Sequence, residues 1–182
     1  MTYSPRVVST YSPRVVANAI LASARDKGIS VSHLKLQKLM YFIHCWGLTL
    51  NGKSPINEMP QAWQYGPTFE SIFFAARDYG QKPIKEFFKS MDVITNEFSG
   101  LIPSSEDKGF WGLSDAVLKQ YSHFDALEMS AIAHEEGGAW EKARKNKYPI
   151  IPDEFIIDDY SAKLEAHRNK AKKDPAADSS MT

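Results

Sequence analysis

Apolar residues recur at helical spacing along most of the chain, and helix start and stop signals separate the runs. Val16, Ala19, Ile20 and Ala24 mark one face of a first helix. Ser12 stands at its cap and Gly28 at its end, with Pro13 at the first helical position, where a missing N–H would have no partner anyway. Ser32 caps a second helix that runs to about Leu50. Its main apolar face is Leu36, Leu39, Met40, Ile43 and Trp46, while Leu34, Tyr41, Phe42 and Cys45 carry apolar surface round the rest. A helix apolar nearly all round belongs at the centre of a fold.

Asn51-Gly52 is a turn, and the loop from Pro55 to Pro60 leads into Ala62-Trp63-Gln64-Tyr65-Gly66-Pro67. Pro67 predicts the start of a third helix carrying Phe69, Ile72, Phe73 and Ala76 and ending at Gly80. Residues 81–113 have the weakest pattern. Val93 to Phe98 reads as a short strand, with loops at Ser99-Gly100 and from Pro103 to Lys108. Ser114 is expected to cap a helix bearing Val117, Leu118 and Tyr121. Asp125 with Glu128 forms a capping box for a helix from Ala126 to Glu136, which Gly137-Gly138 breaks. Ala139 to Lys147 is a short helix anchored by Trp140, and Asp153-Glu154 open a last helix with Phe155, Ile156, Tyr160 and Leu164 on its face. The pattern predicts a mainly α protein: one compact helical domain with a buried central helix and a small β element.

The ends differ from the body. Thr2 to Val8 (Thr-Tyr-Ser-Pro-Arg-Val-Val) recurs as Thr10 to Val16. A solenoid needs units of at least about 20 residues, so this is a local duplication. The first copy has the start signal and no room for a helix, so residues 1–12 are expected to form an extended arm. Residues 13–164 make the helical domain. From Lys163 to Asp174 there are five basic and two acidic residues, and 165–182 are expected to be a flexible basic and polar tail.

Composition narrows the function. The 182 residues suit one domain, and 22 Lys plus Arg balance 22 Asp plus Glu. Net neutrality weighs against a dedicated nucleic-acid binder. The start lacks a signal-peptide apolar run, and the stretch from Leu39 to Leu50 is well short of the ~20 residues that cross a bilayer. The reading is a cytoplasmic protein with no membrane partner. A single cysteine, Cys45, rules out an internal disulfide framework and fits inert core.

Chemistry is sparse. His33 and His44 lie too far apart for a helical zinc pair, and His134-Glu135-Glu136 has Gly138 where a second zinc histidine would stand. Gly66-Pro67-Thr68 lacks the other glycines and the lysine of a phosphate loop. No catalytic residue, metal site or cofactor is expected. The aromatic residues say more: Trp63, Tyr65, Phe69, Phe73 and Phe74 crowd round one Gly-Pro turn. The plain reading is a core cluster; the sharper one is an aromatic interface anchor, with Phe69 and Phe73 inward and Tyr65 outward.

Leu36-Gln-Lys-Leu-Met-Tyr-Phe42, then Ala62-Trp-Gln-Tyr-Gly-Pro67, then Leu127 to Trp140 and Ile151 to Tyr160, come in the order found in the Panacea domain. Over roughly residues 14–162 the chain resembles this family of phage-associated, GepA- or SocA-like proteins. The resemblance implies a non-enzymatic antitoxin that binds a cognate toxin encoded beside it. One branch of the family is a proteolytic adaptor that delivers its toxin to a protease, and some members carry an added DNA-binding domain. A proteolytic adaptor and a DNA-binding regulator are therefore the competing classes. The motif residues Leu36, Leu39, Tyr41, Trp63, Gly66, Pro67 and Trp140 read as scaffold. Tyr65, Glu70, His134 and Glu135, polar and aromatic positions near the motif, are the candidates for touching a partner, and the arm is a further one.

Overall fold

Every residue of the second helix from Leu36 to Leu48 is buried, which makes it the axle of the fold. In order, the elements are α1 (Pro13–Asp26), α2 (His33–Asn51), β1 (Gln61–Trp63), β2 (Gly66–Thr68), α3 (Glu70–Ala76) with a 3-10 turn (Arg77–Tyr79), β3 (Ser90–Met91), β4 (Phe98–Ser99), α4 (Lys108–Tyr121), α5 (Ala126–Ala133), α6 (Ala139–Lys145) and α7 (Asp153–Lys173). The computed structural model describes residues 9–91, 93–94 and 96–173. The protein is mainly α, as the periodicity predicts, and no helix among the described residues is long and apolar enough to cross a membrane.

Helices α1, α4, α5 and α7 pack round α2. Large aromatic rings fill the joints. Phe42 stacks on Tyr121 at 4.1 Å, and Trp46 meets Tyr160 edge-on at 5.0 Å. Trp46 also donates its indole N–H to the Tyr121 hydroxyl at 3.1 Å, so the polar atom of each side chain is satisfied inside the core. Burying such side chains is worth about 1.5–3 kcal/mol each, and α2 carries many of them.

Starts and stops follow local chemistry. Ser32 accepts from the Lys35 N–H, Asp125 and Glu128 form the expected capping box, and Gly52 ends α2 in the left-handed conformation. Five boundaries differ from the pattern. Pro67 is not in a helix: it sits in β2, and α3 starts at Glu70. The antiparallel pairing of β1 with β2 uses the residues on both sides of a two-residue loop, which takes Pro67 before a helix can form. Val93 and Ile94, read as part of a strand from Val93 to Phe98, are the turn of a second hairpin, and Phe98 lies in its strand β4, paired with Met91 of β3. Asp107, not Ser114, caps α4 by accepting from the Phe110 N–H; Ser114 lies inside the helix and is buried. Finally, α5 stops at Ala133 and α7 runs to Lys173, past the expected start of the tail.

Of the N-terminal arm, residues 1–8 lie outside the described residues. Tyr11 forms a parallel bridge with Ile56, and Ser12 offers its backbone carbonyl, not its side chain, to the first turn of α1.

Candidate partner-binding site

The polar pair Gln37-Lys38 interrupts the apolar surface of α2, and both side chains are buried. Each holds the β1–β2 hairpin through its backbone. Gln37 donates to the Phe69 carbonyl at 3.0 Å and accepts from the Phe69 N–H at 2.8 Å, so one amide satisfies both groups. Lys38, 0% exposed, donates Nζ to the carbonyls of Tyr65 at 3.3 Å and Pro67 at 3.1 Å. A buried cation without a carboxylate is costly, and burial pushes the Lys38 ammonium down to about 7. Carbonyl dipoles are what keep it in place.

Gly66 makes this contact possible. Its φ is +108°, in the range that favours glycine, and a Cβ there would collide with both Lys38 Nζ and His134 Nε2. The loop residues Gln64 and Tyr65 keep negative φ, so Gly66 alone absorbs the twist of the turn. On the other side Trp140 donates its indole N–H to the Trp63 carbonyl at 2.9 Å, and Arg144 donates to the Ala62 carbonyl at 3.2 Å. His134, at the C-cap of α5, stacks on Trp140 with centroids 4.0 Å apart. Burial lowers the His134 pKa first and the Lys38 charge second, while the Tyr65 carbonyl pulls the other way. Its Nε2 is buried without a hydrogen bond of good geometry.

The four expected partner-contact residues fall in different settings. Tyr65, at the hairpin tip, is 79% exposed. His134 lies under the same tip, against Gly66. Glu70 is exposed at the start of α3 and accepts from Gln61 at 3.1 Å, tying it to β1. Glu135 is exposed and paired at 3.1 Å with Lys163 of α7. Tyr65 and His134 therefore belong to one spot, with Glu70 tied to β1 beside it, while the Glu135 carboxylate is paired with Lys163.

The scaffold residues behave more uniformly. Leu36, Leu39 and Tyr41 are buried in α2, and Gly66 and Pro67 are buried in the hairpin. Trp63 and Trp140 are half-buried and act through their indole N–H groups as well as their bulk. Phe69 is buried, and Phe73 is half-buried against the Trp63 ring at 4.8 Å. Beyond it Phe74 is exposed and forms an edge contact with Phe73 at 5.6 Å.

Three features escaped the sequence reading. Gln37 and Lys38 are the fasteners, and the available signal was a charged and an amide side chain inside a run that is otherwise apolar except at His44. Phe74 was named in the aromatic cluster, and what the sequence did not show is that its ring, like that of Tyr65, is exposed. A cleft of ≈430 Å³ beside β1, lined by Gln61, Trp63, Arg144, Lys147, Tyr148 and Pro149, is assembled from segments some 80 positions apart, which no local pattern reveals.

The arrangement can display a rigid aromatic tip. Cys45 is fully buried and its thiol is pushed far up by that burial. Among the described residues no group of three or more His, Cys, Asp or Glu gathers as metal ligands would.

Residues 36–141 match the antitoxin SocA-like Panacea domain, a span that opens on the helix carrying Gln37 and Lys38 and closes one residue after Trp140. Antitoxin SocA from Caulobacter vibrioides (strain NA1000 / CB15N) is 28% identical over 141 residues, covering 78% of this chain and 73% of that protein. No solved structure matches the chain. The family match covers the α2 fasteners, the hairpin and the Trp140 contact as one unit, and the chain belongs to the SocA-like antitoxin, Panacea-domain family.

Proposed function

We propose that this protein is an antitoxin that neutralises a toxin encoded by an adjacent gene, by binding it directly and without catalytic turnover. The observation that carries the reading is Tyr65: a ring 79% exposed, on a backbone whose neighbouring carbonyls at Ala62, Trp63, Tyr65 and Pro67 are each held by a side chain from a helix. An aromatic anchor on a preorganised backbone loses little freedom on binding, which is how a few residues come to dominate an interface. Glu70 and Phe74 flank the tip, and His134 supports it from below. A specific complex needs about 1,000 Å² of total buried surface, so the partner extends over more than the tip. Membership of the family and the name of the curated relative support the antitoxin role.

Co-expression with each adjacent gene tests the proposal. Native protein should restore growth against one growth-arresting neighbour and form a stoichiometric complex with its product. Tyr65→Ala and Glu70→Arg should lose rescue while melting like the native protein. Rescue that persists in a protease-deficient host separates direct blocking from delivery to a protease. Rescue at substoichiometric antitoxin in that host would point instead to an enzyme that inactivates the toxin, and would refute the proposal.

A further inference from the structure

The duplicated arm segment acquires a role once the seat of its second copy is described. Thr10 donates its hydroxyl to the Ser54 carbonyl at 2.9 Å. Tyr11 donates its N–H to the Pro55 carbonyl at 2.9 Å and accepts from the Asn57 N–H at 2.9 Å, flanking Ile56 as one extra strand residue. Its hydroxyl donates to Asp107 Oδ2 at 2.7 Å, and its ring meets Phe110 edge-on at 5.4 Å. The groove thus reads a Thr-Tyr pair: backbone at both sides of the tyrosine, the threonine hydroxyl and the phenol. The residues that follow do other work, because Pro13 to Val16 already belong to α1 and Val16 is core. Thr2-Tyr3 repeats the pair and is followed by the same five residues.

We infer that the groove between residues 54–57 and the start of α4 is a docking site for a Thr-Tyr segment, with Thr2-Tyr3 of the same chain as its second occupant. The threonine and tyrosine groups that the groove recognises are present in both copies, while Ser9, which hydrogen-bonds Asp107 beside Tyr11, is matched by Met1 before the first copy. With Tyr3 seated, residues 4–12 form a loop that returns to Pro13 beside the groove, a span nine residues cover readily. Loop closure adds an entropy term that Tyr11 does not face, so Tyr11 is the major occupant and Tyr3 the minor one. Exchange in the opposite sense, between two chains, trades one Thr-Tyr for another without adding a contact, which favours exchange within one chain. This inference does not depend on the toxin-binding reading.

A double-mutant cycle on the full chain tests it. Tyr3→Ala alone should leave the melting temperature unchanged, and Tyr11→Ala alone should lower it slightly, because Tyr3 takes over. The double variant should fall by about 2–4 °C more than the two single shifts summed. Tyr3→Phe and Tyr11→Phe, which remove only the Asp107 bond, should give the same pattern at smaller amplitude and cover the case in which the double alanine variant fails to fold. A synthetic Thr-Tyr-Ser-Pro-Arg-Val-Val peptide should stabilise the Tyr11→Ala, Tyr3→Ala protein, and its Tyr→Ala version should not. Additive melting shifts, together with no effect of the peptide, would overturn the inference. A Tyr3-dependent dimer of the Tyr11→Ala protein would overturn exchange within one chain and place the second occupant in a neighbour's groove.

Discussion

Two hairpins project from the helical body, and they are mounted in different ways. Each has a buried amide at its base. Gln37 of α2 pairs with both backbone groups of Phe69, and Asn18 of α1 accepts from the Phe88 N–H at 2.8 Å while donating to the Phe88 and Leu101 carbonyls at 2.9 Å. Beyond that point they diverge. In the β1–β2 hairpin the fasteners reach the hairpin itself, at Ala62, Trp63, Tyr65 and Pro67. Among the described residues, helix side chains hold the flanks of the β3–β4 hairpin, at Phe88, Lys89 and Leu101, and the turn carries Val93 and Ile94, each 91% exposed. Exposure of an apolar tip is thus common to both. In the first, helix side chains hold the backbone directly beneath the tip, and fixed backbone is what a tight interface uses.

The largest way to break this contrast is at Gly66. Gly66→Ala combines a strained φ with a collision against Lys38 and His134, and should destabilise the protein by about 3–5 kcal/mol in a denaturant melt. Val93→Ala, at the tip of the second hairpin, should stay within about 0.5 kcal/mol in the same melt. A second comparison sets the two amides against each other. Gln37→Leu and Asn18→Leu each strand buried backbone groups and should each cost about 2–4 kcal/mol. At a temperature where both remain folded, only Gln37→Leu should impair neutralisation.

Lys38 sharpens the contrast through pH. Its folded pKa is about 7, below the ordinary lysine value of 10.5, so between those values the unfolded chain holds a proton that the folded chain does not. Lys38 therefore makes stability rise with pH above about 7, by roughly 1 kcal/mol per pH unit, and contributes no slope below it. Chemical melts from pH 7 to 8.5 should show this rise in the native protein and a flatter profile in Lys38→Met. His44 acts at lower pH by the same sign. Burial takes its pKa from 6.5 to about 4, so its contribution is lost as pH falls from about 6.5 towards 4 in both proteins. Trp140→Phe keeps most of the bulk and removes the bond to the Trp63 carbonyl, for an expected loss of about 1 kcal/mol.

The helices were legible because they obey one local rule. Val16 to Ala24, the face from Leu36 to Trp46 and the Asp125–Glu128 box are each set by residues within a few positions of one another. The hairpins were not, for two reasons. Strands of two or three residues are too short to show alternation, so Pro67 read as a helix start and Val93-Ile94 as a strand. Their positions are set by partners far along the chain, such as Trp140 on Trp63 and Asn18 on Leu101. In the candidate site, Tyr65 was visible as an aromatic residue in a Gly-Pro turn. That Lys38 lies beneath it depends on the tertiary packing of α2 against β2. Glu135 shows the converse: its polarity drew attention, yet its carboxylate is used by Lys163.

The smallest expected change in stability accompanies the largest in function. Tyr65→Ala removes an exposed side chain and should move the unfolding free energy by less than about 0.5 kcal/mol. The most direct test of the account is the affinity of the purified protein for the product of the growth-arresting neighbour, measured for Tyr65→Ala and for Val93→Asp side by side. The account predicts that Tyr65→Ala weakens binding by about 30-fold or more, the loss of a hot-spot residue, while Val93→Asp binds like the native protein. Native affinity in Tyr65→Ala with binding lost in Val93→Asp would contradict it, and would assign the partner to the other hairpin.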